Sequence, residues 1–339
     1  MDSRVLPTGK PNAGLLTELL QIIAREDGAV IEGPSVGRDV ALLDIGAPFF
    51  LAAKSDPITF ATDEIGFYAV VVNANDLATR GATPCWMLAT VLLPENRTTP
   101  DLARDIFRQL RAACDDFNIT LVGGHTEITY GLDRPIVVGA MLGQVPRGLR
   151  LTPDNVRPGD VVLMTKAVAI EGTAIIAREL SDELRRRGFE QEFTERCARM
   201  LHEPGISVLA EARAAARVEG LRTMHDPTEG GIATGLWELA AASGRRVVVS
   251  VDAIPVLPEC RRLCEVFGID PLGLIASGTM LMVASPHAAD AVKRAVEDAG
   301  VRCTVIGHVE EGPPEAVQRT DHGLQPLPRY DQDELTKIL

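Results

Sequence analysis

The sequence predicts an α/β or α+β protein of two domains. Its 339 residues are more than one hydrophobic core usually organises, since domains typically hold about 150 residues. Both halves alternate short apolar segments with amphipathic helical ones. Residues 146–160, PRGLRLTPDNVRPGD, are dense in Pro, Gly and Asp, which is typical of a connecting segment. We therefore expect domains over residues 1–150 and 151–339.

The first half alternates predicted strands and helices. Short apolar runs predict strands over 40–45, 49–53, 85–93, 119–122 and 136–142. A helical period predicts helices over 64–80 and 101–117. The second is the clearer helix, because Leu102, Ile106 and Leu110 fall on one face and Thr99-Pro100 forms a start signal.

The second half contains the same two kinds of element. Apolar runs predict strands over 161–165, 247–251, 279–284 and 303–309, with a further short apolar segment at 221–224. Helical periods predict helices over 172–187, 191–201, 205–219, 231–242, 257–267 and 287–299. From Asp331 onward the chain is acidic, which is typical of a solvated tail.

Composition and charge exclude several classes of function. With 34 basic and 47 acidic residues the net charge is −13, which disfavours binding to nucleic acid. No run approaches the roughly 18 apolar residues of a membrane span, and Met1–Arg4 lacks the features of a signal peptide. Cys260 and Cys264 lie one helical turn apart without a nearby His or second cysteine pair to complete a zinc site. We expect a cytoplasmic protein with reduced thiols and no membrane partner.

Familiar catalytic signatures do not account for the sequence. It holds no GxxxxGK[ST] phosphate loop, no GxGxxG after a strand and no HExxH. A G-x-S-x-G string occurs at Gly33–Gly37, but the predicted strand 40–45 follows it. A nucleophile elbow requires a helix at that point, so a hydrolase of this type is disfavoured.

Four aspartates beside apolar segments form the candidate metal ligands. Asp39 follows the turn at Gly37, Asp56 follows strand 49–53, and Asp226 follows Met224-His225. Each of these alone is typical of a turn or a cap. Asp76 is different, because it lies beside Asn75 inside an apolar helix, where burial requires partners. Carboxylates of this kind suit Mg²⁺, which binds one or two of them together with substrate phosphates.

Two glycine pairs are candidate phosphate sites. Gly123-Gly124 follows strand 119–122 and is predicted to form a glycine turn before His125 and Thr126. The second pair, Gly230-Gly231, follows Thr228 and opens the helix over 231–242. Backbone N–H groups at a helix start bind anions, and glycine permits close approach. Such pairs also occur simply because tight turns need them, and that alternative stays open here.

A few titratable residues complete the candidate set. His125 and His225 are possible acids or bases, although isolated histidines are more often structural. Lysines are few in this chain, so Lys10 in a Gly-Lys-Pro segment and Lys166 after strand 161–165 are candidate phosphate contacts.

These motifs, taken in order, resemble those of a known superfamily. Its members include aminoimidazole ribonucleotide (AIR) synthase, the hydrogenase maturation protein HypE, selenophosphate synthetase and thiamine-monophosphate kinase. The matching segments are Gly37–Ala41, Asn75–Ala78, Gly81–Pro84, Gly123–Thr126 and Asp226–Gly231. Ala253–Val256, Gly268–Leu272, Ala276–Gly278 and Ile306–Val309 are most similar to the HypE branch.

The resemblance implies an AIR synthase-like fold and a set of functional residues. The N-terminal domain would dimerise and form a barrel, and the C-terminal domain would be an α/β sandwich. ATP would lie near the homodimer interface, and its γ-phosphoryl group would pass to an oxygen, often of an amide, in a small molecule or a partner protein. Mg²⁺ would bind Asp39, Asp56, Asp76 and Asp226. Catalytic roles would fall on Asp76, His125 and Asp226, and cofactor contacts on Lys10, Gly37, Asn75, Gly123, Gly124, Thr126, Lys166, Thr228, Gly230 and Gly231.

Departures from the family pattern leave the reaction open. HypE-type proteins end in Pro-Arg-Ile-Cys with a modified cysteine, whereas Pro328-Arg329-Tyr330 continues here to Leu339 without one. Arg38, His125 and Glu229 also replace residues frequent in the family. These changes favour a HypE-like paralogue with a different acceptor and weaker metal binding. The alternatives are an AIR synthase or thiamine-monophosphate-kinase activity, a non-catalytic nucleotide-binding maturation factor, and a member that no longer binds nucleotide.

Overall fold

The computed structural model describes residues 6, 8–11, 13–23, 25–320, 323–330 and 332–339, so the Met1–Arg4 start lies outside them. The chain divides into two compact units. Unit 1 comprises residues 1–26, 34–39 and 150–339, and unit 2 comprises 27–33 and 40–149. The division into these units is more complex than the predicted domains 1–150 and 151–339, because the N-terminal segments 1–26 and 34–39 belong to the C-terminal unit.

The strands and helices alternate along the chain. The strands are β1 (Val30–Glu32), β2 (Ala41–Leu43), β3 (Phe49–Ile58), β4 (Thr83–Pro94), β5 (Thr120–Thr129), β6 (Ile136–Pro146), β7 (Val161–Thr165), β8 (Leu221–His225), β9 (Arg246–Val249), β10 (Leu281–Ala284), β11 (Cys303–Glu310), β12 (Ala316–Thr320) and β13 (Gly323–Pro326). The helices are α1 (Ala13–Ile23), α2 (Ile65–Thr79), α3 (Pro100–Asp116), α4 (Ile170–Glu179), α5 (Ser181–Arg186), α6 (Gln191–Arg199), α7 (Leu209–Ala215), α8 (Gly231–Ser243), α9 (Pro258–Phe267) and α10 (Ala289–Asp298). The predicted mixed α/β class is confirmed.

Unit 2 is a sheet with strand order β1-β2-β3-β6-β4-β5 and with helix α2 against it. Almost every residue of α2 is buried, because it packs against β3, β6 and the neighbouring helix α3. Gly139 permits this packing, since a Cβ there would lie 2.4 Å from Asn73 Nδ2. Asn73 in turn accepts the Asp56 N–H at 3.0 Å and donates to the Ala69 carbonyl at 2.9 Å. The buried amide of Asn73 is thus partnered inside the core.

Two predictions about unit 2 are wrong. Strand β3 does not end at 53, because its pairing with β6 continues through Asp56 to Ile58. The predicted turn at Gly123-Gly124 is also absent, since both glycines lie within β5 and pair with Leu88 and Ala89. At Gly124 the reason for glycine is a close approach: a Cβ would lie 1.8 Å from the Ala89 carbonyl oxygen.

Unit 1 is a mixed sheet with strand order β13-β12-β9-β11-β7-β10-β8. Its strands β7 and β10 are almost entirely buried and consist, apart from Thr165, of Val, Leu, Met and Ala, as a core poor in aromatic residues requires. The single helix predicted over 172–187 is two helices, α4 and α5, separated at Leu180. The helix predicted over 205–219 is shorter, because α7 begins at Leu209 after an irregular turn over Leu201–Gly205.

The C-terminal segment is not the solvated tail that its acidity predicts. Asp331 lies outside the described residues, but Asp333, Glu334 and Leu335 are buried. Leu335 is fully enclosed, and the Tyr330 hydroxyl donates to Asp270 at 2.7 Å. The segment is therefore part of the core of unit 1. Within the part of the chain that the structure describes, no helix has the length and apolar character needed to cross a membrane.

Candidate functional site

Two of the predicted metal-binding aspartates come together in unit 1. Strand β8 ends at His225, Asp226 follows it, and Asp39 lies in the 34–39 segment. One ligand atom from each of these three residues lies within 4.8 Å of the other two. His225 and Asp226 are 5% and 3% exposed. The structure thus concentrates two carboxylates in a place largely shielded from water.

Glycine at position 37 allows the turn before Asp39 to approach helix α8. Gly37 has a φ of +75°, and a Cβ there would lie 2.7 Å from the Glu238 carbonyl oxygen. The neighbouring Arg38 donates to Asp154 at 2.6 Å. A larger residue at 37 would push this turn away from α8, so Gly37 fixes the position of Asp39 through the backbone.

His225 lies between two carboxylates. Its Nδ1 is 3.2 Å from Asp39 Oδ2, and its Nε2 is 3.0 Å from Glu238 Oε2. Burial by itself would lower the pKa of His225, but the hydrogen bonds with Asp39 and Glu238 outweigh it and raise the pKa to about 10. The raised pKa of His225 favours the protonated ring, in which both nitrogens donate to the carboxylates that they face.

Lys10 extends this cluster on the other side of Glu238. Its Nζ donates to Glu238 Oε1 at 2.8 Å, and its backbone N–H donates to Glu229 Oε2 at 2.8 Å. A cavity of about 200 Å³ opens beside these groups. Its lining also includes Trp237 and Arg329, whose guanidinium carbon lies 3.7 Å from the centre of the Trp237 ring.

The start of helix α8 is already capped by a carboxylate of the protein itself. Asp333 accepts the Gly230 N–H at 2.7 Å. Burial raises the pKa of Asp333 to about 6. Gly231 has a φ of +64°, and a Cβ there would lie 2.5 Å from the Leu272 carbonyl oxygen. The Gly231 N–H donates to the Thr228 carbonyl at 3.0 Å. Gly230 thus fits the tight-turn alternative, because Asp333 holds the N–H that a phosphate would use there.

A second acidic pair lies in unit 2 and binds a lysine. Lys54 Nζ is 3.1 Å from Asp76 Oδ2 and 3.6 Å from Asp56 Oδ2. Asp76 is 2% exposed, and its neighbour Asn75 is fully buried in α2. An ammonium group bridges the two carboxylates, so this pair of side chains accommodates a cation.

Two further predicted residues have different surroundings. His125 lies on β5, where its Nε2 is 3.4 Å from Glu127 Oε2, and it is accompanied on this strand by Gly123, Gly124 and Thr126. Lys166 is buried and donates to the Ser207 carbonyl at 2.5 Å, with Glu211 at 3.0 Å from the same ammonium. Its ammonium is engaged as a structural ion pair, which argues against a phosphate contact.

Sequence reasoning missed three residues of these clusters. Glu238 is the acidic residue between His225 and Lys10, Lys54 bridges Asp56 and Asp76, and Asp333 caps α8. Of these, Lys54 had a usable signal, because it is one of the chain's few lysines and lies two residues before a predicted ligand.

The donor set of the unit 1 cluster fits Mg²⁺. The two carboxylates offer the oxygen ligands that Mg²⁺ prefers, and the ion retains waters in its remaining positions. A histidine nitrogen as a third ligand would suit Zn²⁺ or Mn²⁺ better. Both nitrogens of His225 face carboxylates, however, so the cluster is best described as two oxygen ligands beside a bridging histidine.

The sequence of this chain matches both domain models of one family. The model of the AIR synthase related protein N-terminal domain matches residues 37–145, and that of the C-terminal domain matches 157–319. The chain therefore belongs to the AIR synthase-related family. It is similar to the carbamoyl dehydratase HypE of Rhodobacter capsulatus, with 30% identity over 323 residues that cover 93% of this chain and 91% of the relative.

Solved structures show the same fold. Escherichia coli HypE has a TM-score of 0.75 and 22% identity, over 96% of this chain and 98% of that one. A hydrogenase maturation protein HypE in complex with ATP has a TM-score of 0.71 and 23% identity, over 90% and 92% of the two chains. These comparisons confirm the predicted AIR synthase-like, HypE-like fold.

Proposed function

We propose that the protein is an ATP- and Mg²⁺-dependent enzyme of the HypE-like group, which transfers the γ-phosphoryl group of ATP to an oxygen of an amide-type acceptor. Support comes from the relative named carbamoyl dehydratase HypE and from a HypE of the same fold in complex with ATP. The observation that carries the proposal is the convergence of Asp39 and Asp226 in a buried cluster. A nucleophilic side chain is not required, because positioning and charge neutralisation supply most of the catalysis in phosphoryl transfer.

The carboxylates are the proposed metal ligands. In unit 1, Asp39 and Asp226 would hold Mg²⁺, and in unit 2, Asp56 and Asp76 are a further proposed pair that Lys54 now bridges. A bound Mg²⁺ neutralises charge on the phosphate oxygens. The contribution of this chain is to orient the carboxylates in a shielded environment, where their attraction for a cation is stronger than in water.

Eight of the predicted cofactor contacts remain in the proposed site. Gly230 and Lys166 are left out, because Asp333 holds the Gly230 N–H and the Lys166 ammonium is buried against Ser207 and Glu211, whereas the Lys10 side chain is 38% exposed. The remaining contacts are Lys10, Gly37, Asn75, Gly123, Gly124, Thr126, Thr228 and Gly231. Catalytic roles are proposed for Asp76, His125 and Asp226.

The acceptor is proposed to be a small molecule or the carboxamide of a partner protein that takes part in hydrogenase or metallocofactor maturation. Residues 328–339 contain no cysteine. The segment is also fixed to unit 1, through Tyr330 and Asp333 in particular. Such a segment does not serve as a substrate arm in the manner of a HypE tail.

The proposed enzyme is a cytoplasmic homodimer. Strand β5 lies at the edge of the unit 2 sheet and is exposed along most of its length. Its apolar residues Val122 and Ile128 are 53% and 62% exposed, which is typical of a surface that a partner covers. Sedimentation of the purified protein tests this: a monomer at micromolar concentration would contradict it.

Titration calorimetry of ATP with and without Mg²⁺, followed by ADP release on the same sample, tests the activity. We expect Mg²⁺-dependent binding and slow ADP release, both lost in Asp39→Asn and Asp226→Asn. Asp182→Asn is the matched control, because Asp182 is 80% exposed on the surface of unit 1. Unchanged turnover in the two site variants would contradict the assignment.

The same experiment separates the alternatives. ATP binding without ADP release would favour a non-catalytic maturation factor that docks on a partner protein. Faster ADP release with thiamine monophosphate, or with the substrate of AIR synthase, would favour those activities instead. Absence of ATP binding would contradict the proposed function without affecting the assignment of the fold.

A further inference from the structure

Four side chains of alternating charge form a continuous chain of contacts in unit 1. Lys10 contacts Glu238 at 2.8 Å, Glu238 contacts His225 at 3.0 Å, and His225 contacts Asp39 at 3.2 Å. Exposure falls along it from 38% at Lys10 to 12% at Glu238 and 7% at His225. The chain thus begins near the surface, its least exposed member is the His225 ring, and it ends on the part-buried carboxylate of Asp39, which is 18% exposed.

Both nitrogens of the His225 ring are used in this arrangement. Nδ1 faces Asp39 Oδ2, and Nε2 faces Glu238 Oε2. Coordination of a cation by His225 would require a lone pair on one nitrogen and would break one of the two contacts. A ring held at both ends is instead suited to fixing the rotamer and direction of the carboxylate that it touches.

We infer that His225 is the positioning residue for Asp39, with Glu238 and Lys10 holding the ring in place, and that His225 is not a ligand of the cation. The inference rests on the proposed function, because it takes Asp39 and Asp226 as the ligands. The dipeptide at the end of β8 then does two things: Asp226 supplies one ligand, and His225 orients the other, which comes from a distant part of the sequence.

Binding of Mn²⁺, used as a spectroscopic substitute for Mg²⁺, tests the inference without relying on activity. Free Mn²⁺ is titrated by electron paramagnetic resonance in the absence of ATP. We expect His225→Gln to raise the Kd for Mn²⁺ by about tenfold, the range found for groups that orient metal ligands. Glu238→Gln, one contact further away, should raise it by about threefold, and Lys10→Met by less.

Three measurements separate a positioning role of His225 from a general structural effect and from coordination of the cation. At saturating Mg²⁺ the ADP-release rate of His225→Gln should stay within about threefold of the wild type, because the ligands themselves are intact. His308→Gln, a half-exposed histidine on β11, is the matched control and should leave the Kd unchanged. Pulsed resonance spectra of bound Mn²⁺ should show no directly coordinated nitrogen.

The outcomes distinguish the inference from the proposed function. Two outcomes would overturn the positioning role alone. One is a nitrogen coordinated to Mn²⁺ in the wild type. The other is a Kd of His225→Gln within twofold of the wild-type value, although Asp39→Asn abolishes binding. Unchanged Mn²⁺ binding in Asp39→Asn would overturn the ligand assignment and the inference with it. If His225→Gln does not fold, the Kd of Glu238→Gln decides: an unchanged value overturns the inference.

Discussion

Replacing Glu171 by Gln should change how the stability of unit 1 depends on pH. Glu171 lies in the first turn of α4, is 4% exposed, and accepts the Ser277 N–H at 3.2 Å. Burial raises its pKa from 4.5 to about 7, and the charges of Asp333 and Glu229 add to this effect. Gln keeps the shape and the carbonyl acceptor but does not ionise, so the substitution isolates the charge.

The sign and size of the effect follow from linkage between proton binding and folding. The pKa of Glu171 is higher in the folded state than in the unfolded state, so the folded protein binds this proton more tightly. The stabilisation that the bound proton gives is complete below about pH 4.5 and is lost as pH rises to about 7. At about 1.4 kcal/mol per tenfold change in proton affinity, the total loss is about 3 kcal/mol. Between pH 5 and pH 8 we expect the unfolding free energy of Glu171→Gln to gain about 2 to 3 kcal/mol relative to the wild type.

Tryptophan fluorescence provides an assay confined to unit 1. The chain has two tryptophans, Trp86 in unit 2 and Trp237 in unit 1. In a Trp86→Phe background, urea unfolding at pH 5, 6, 7 and 8 therefore reports unit 1 through Trp237. Glu192→Gln, an 83% exposed position on α6, is the surface control. Parallel stability curves for Glu171→Gln and its parent would refute the argument that burial governs this carboxyl group.

Three further substitutions test particular contacts. Gly124→Ala should destabilise unit 2 by about 3 kcal/mol, because the added Cβ would lie 1.8 Å from the Ala89 carbonyl oxygen; an unchanged melting temperature would show that β5 shifts at little cost. Thr99→Ala should cost about 1 kcal/mol in urea unfolding, since the Thr99 side chain accepts the Leu102 N–H at the start of α3; Thr99→Ser, which keeps the hydroxyl acceptor, is its control. Lys54→Met should cost about 3 to 5 kcal/mol, because it removes the cation 3.1 Å from buried Asp76. Millimolar Mg²⁺ should restore part of that loss in a thermal melt, and equal losses with Mg²⁺ and with EDTA would argue against a cation site there.

Local signals predicted many of the secondary-structure elements of the fold. Helix α3 was expected over 101–117 and runs from Pro100 to Asp116, because its apolar period and its Thr99 cap are both contained in the sequence. Helix α2 also begins and ends within one residue of its predicted bounds, although Glu64 at its start forms no side-chain cap. The predicted turn at Gly123-Gly124 is wrong, because the sequence alone does not distinguish a glycine needed for close approach inside a strand from a glycine in a turn.

The candidate site was only partly predictable, because its contacts join distant segments. Asp39 and Asp226 were chosen from strand ends, but nothing local indicates that residues 34–39 belong with the C-terminal unit. Glu238 lies on α8 among apolar residues and has no motif of its own; its role depends on a contact with His225, 13 residues away. The Asp333 cap spans 103 residues to Gly230, so a charge pattern alone suggested a tail.

The discontinuity of unit 1 constrains the order in which a nascent chain acquires its structure. Apart from residues 27–33, unit 2 is one uninterrupted stretch, which has left the ribosome well before the second half is made. Unit 1 needs both ends of the polypeptide, as the contact of Gln332 with the Thr8 carbonyl across 324 positions illustrates. During synthesis, residues 8–11 and 34–39 must therefore wait for partners that are translated last, and unit 2 is expected to fold first.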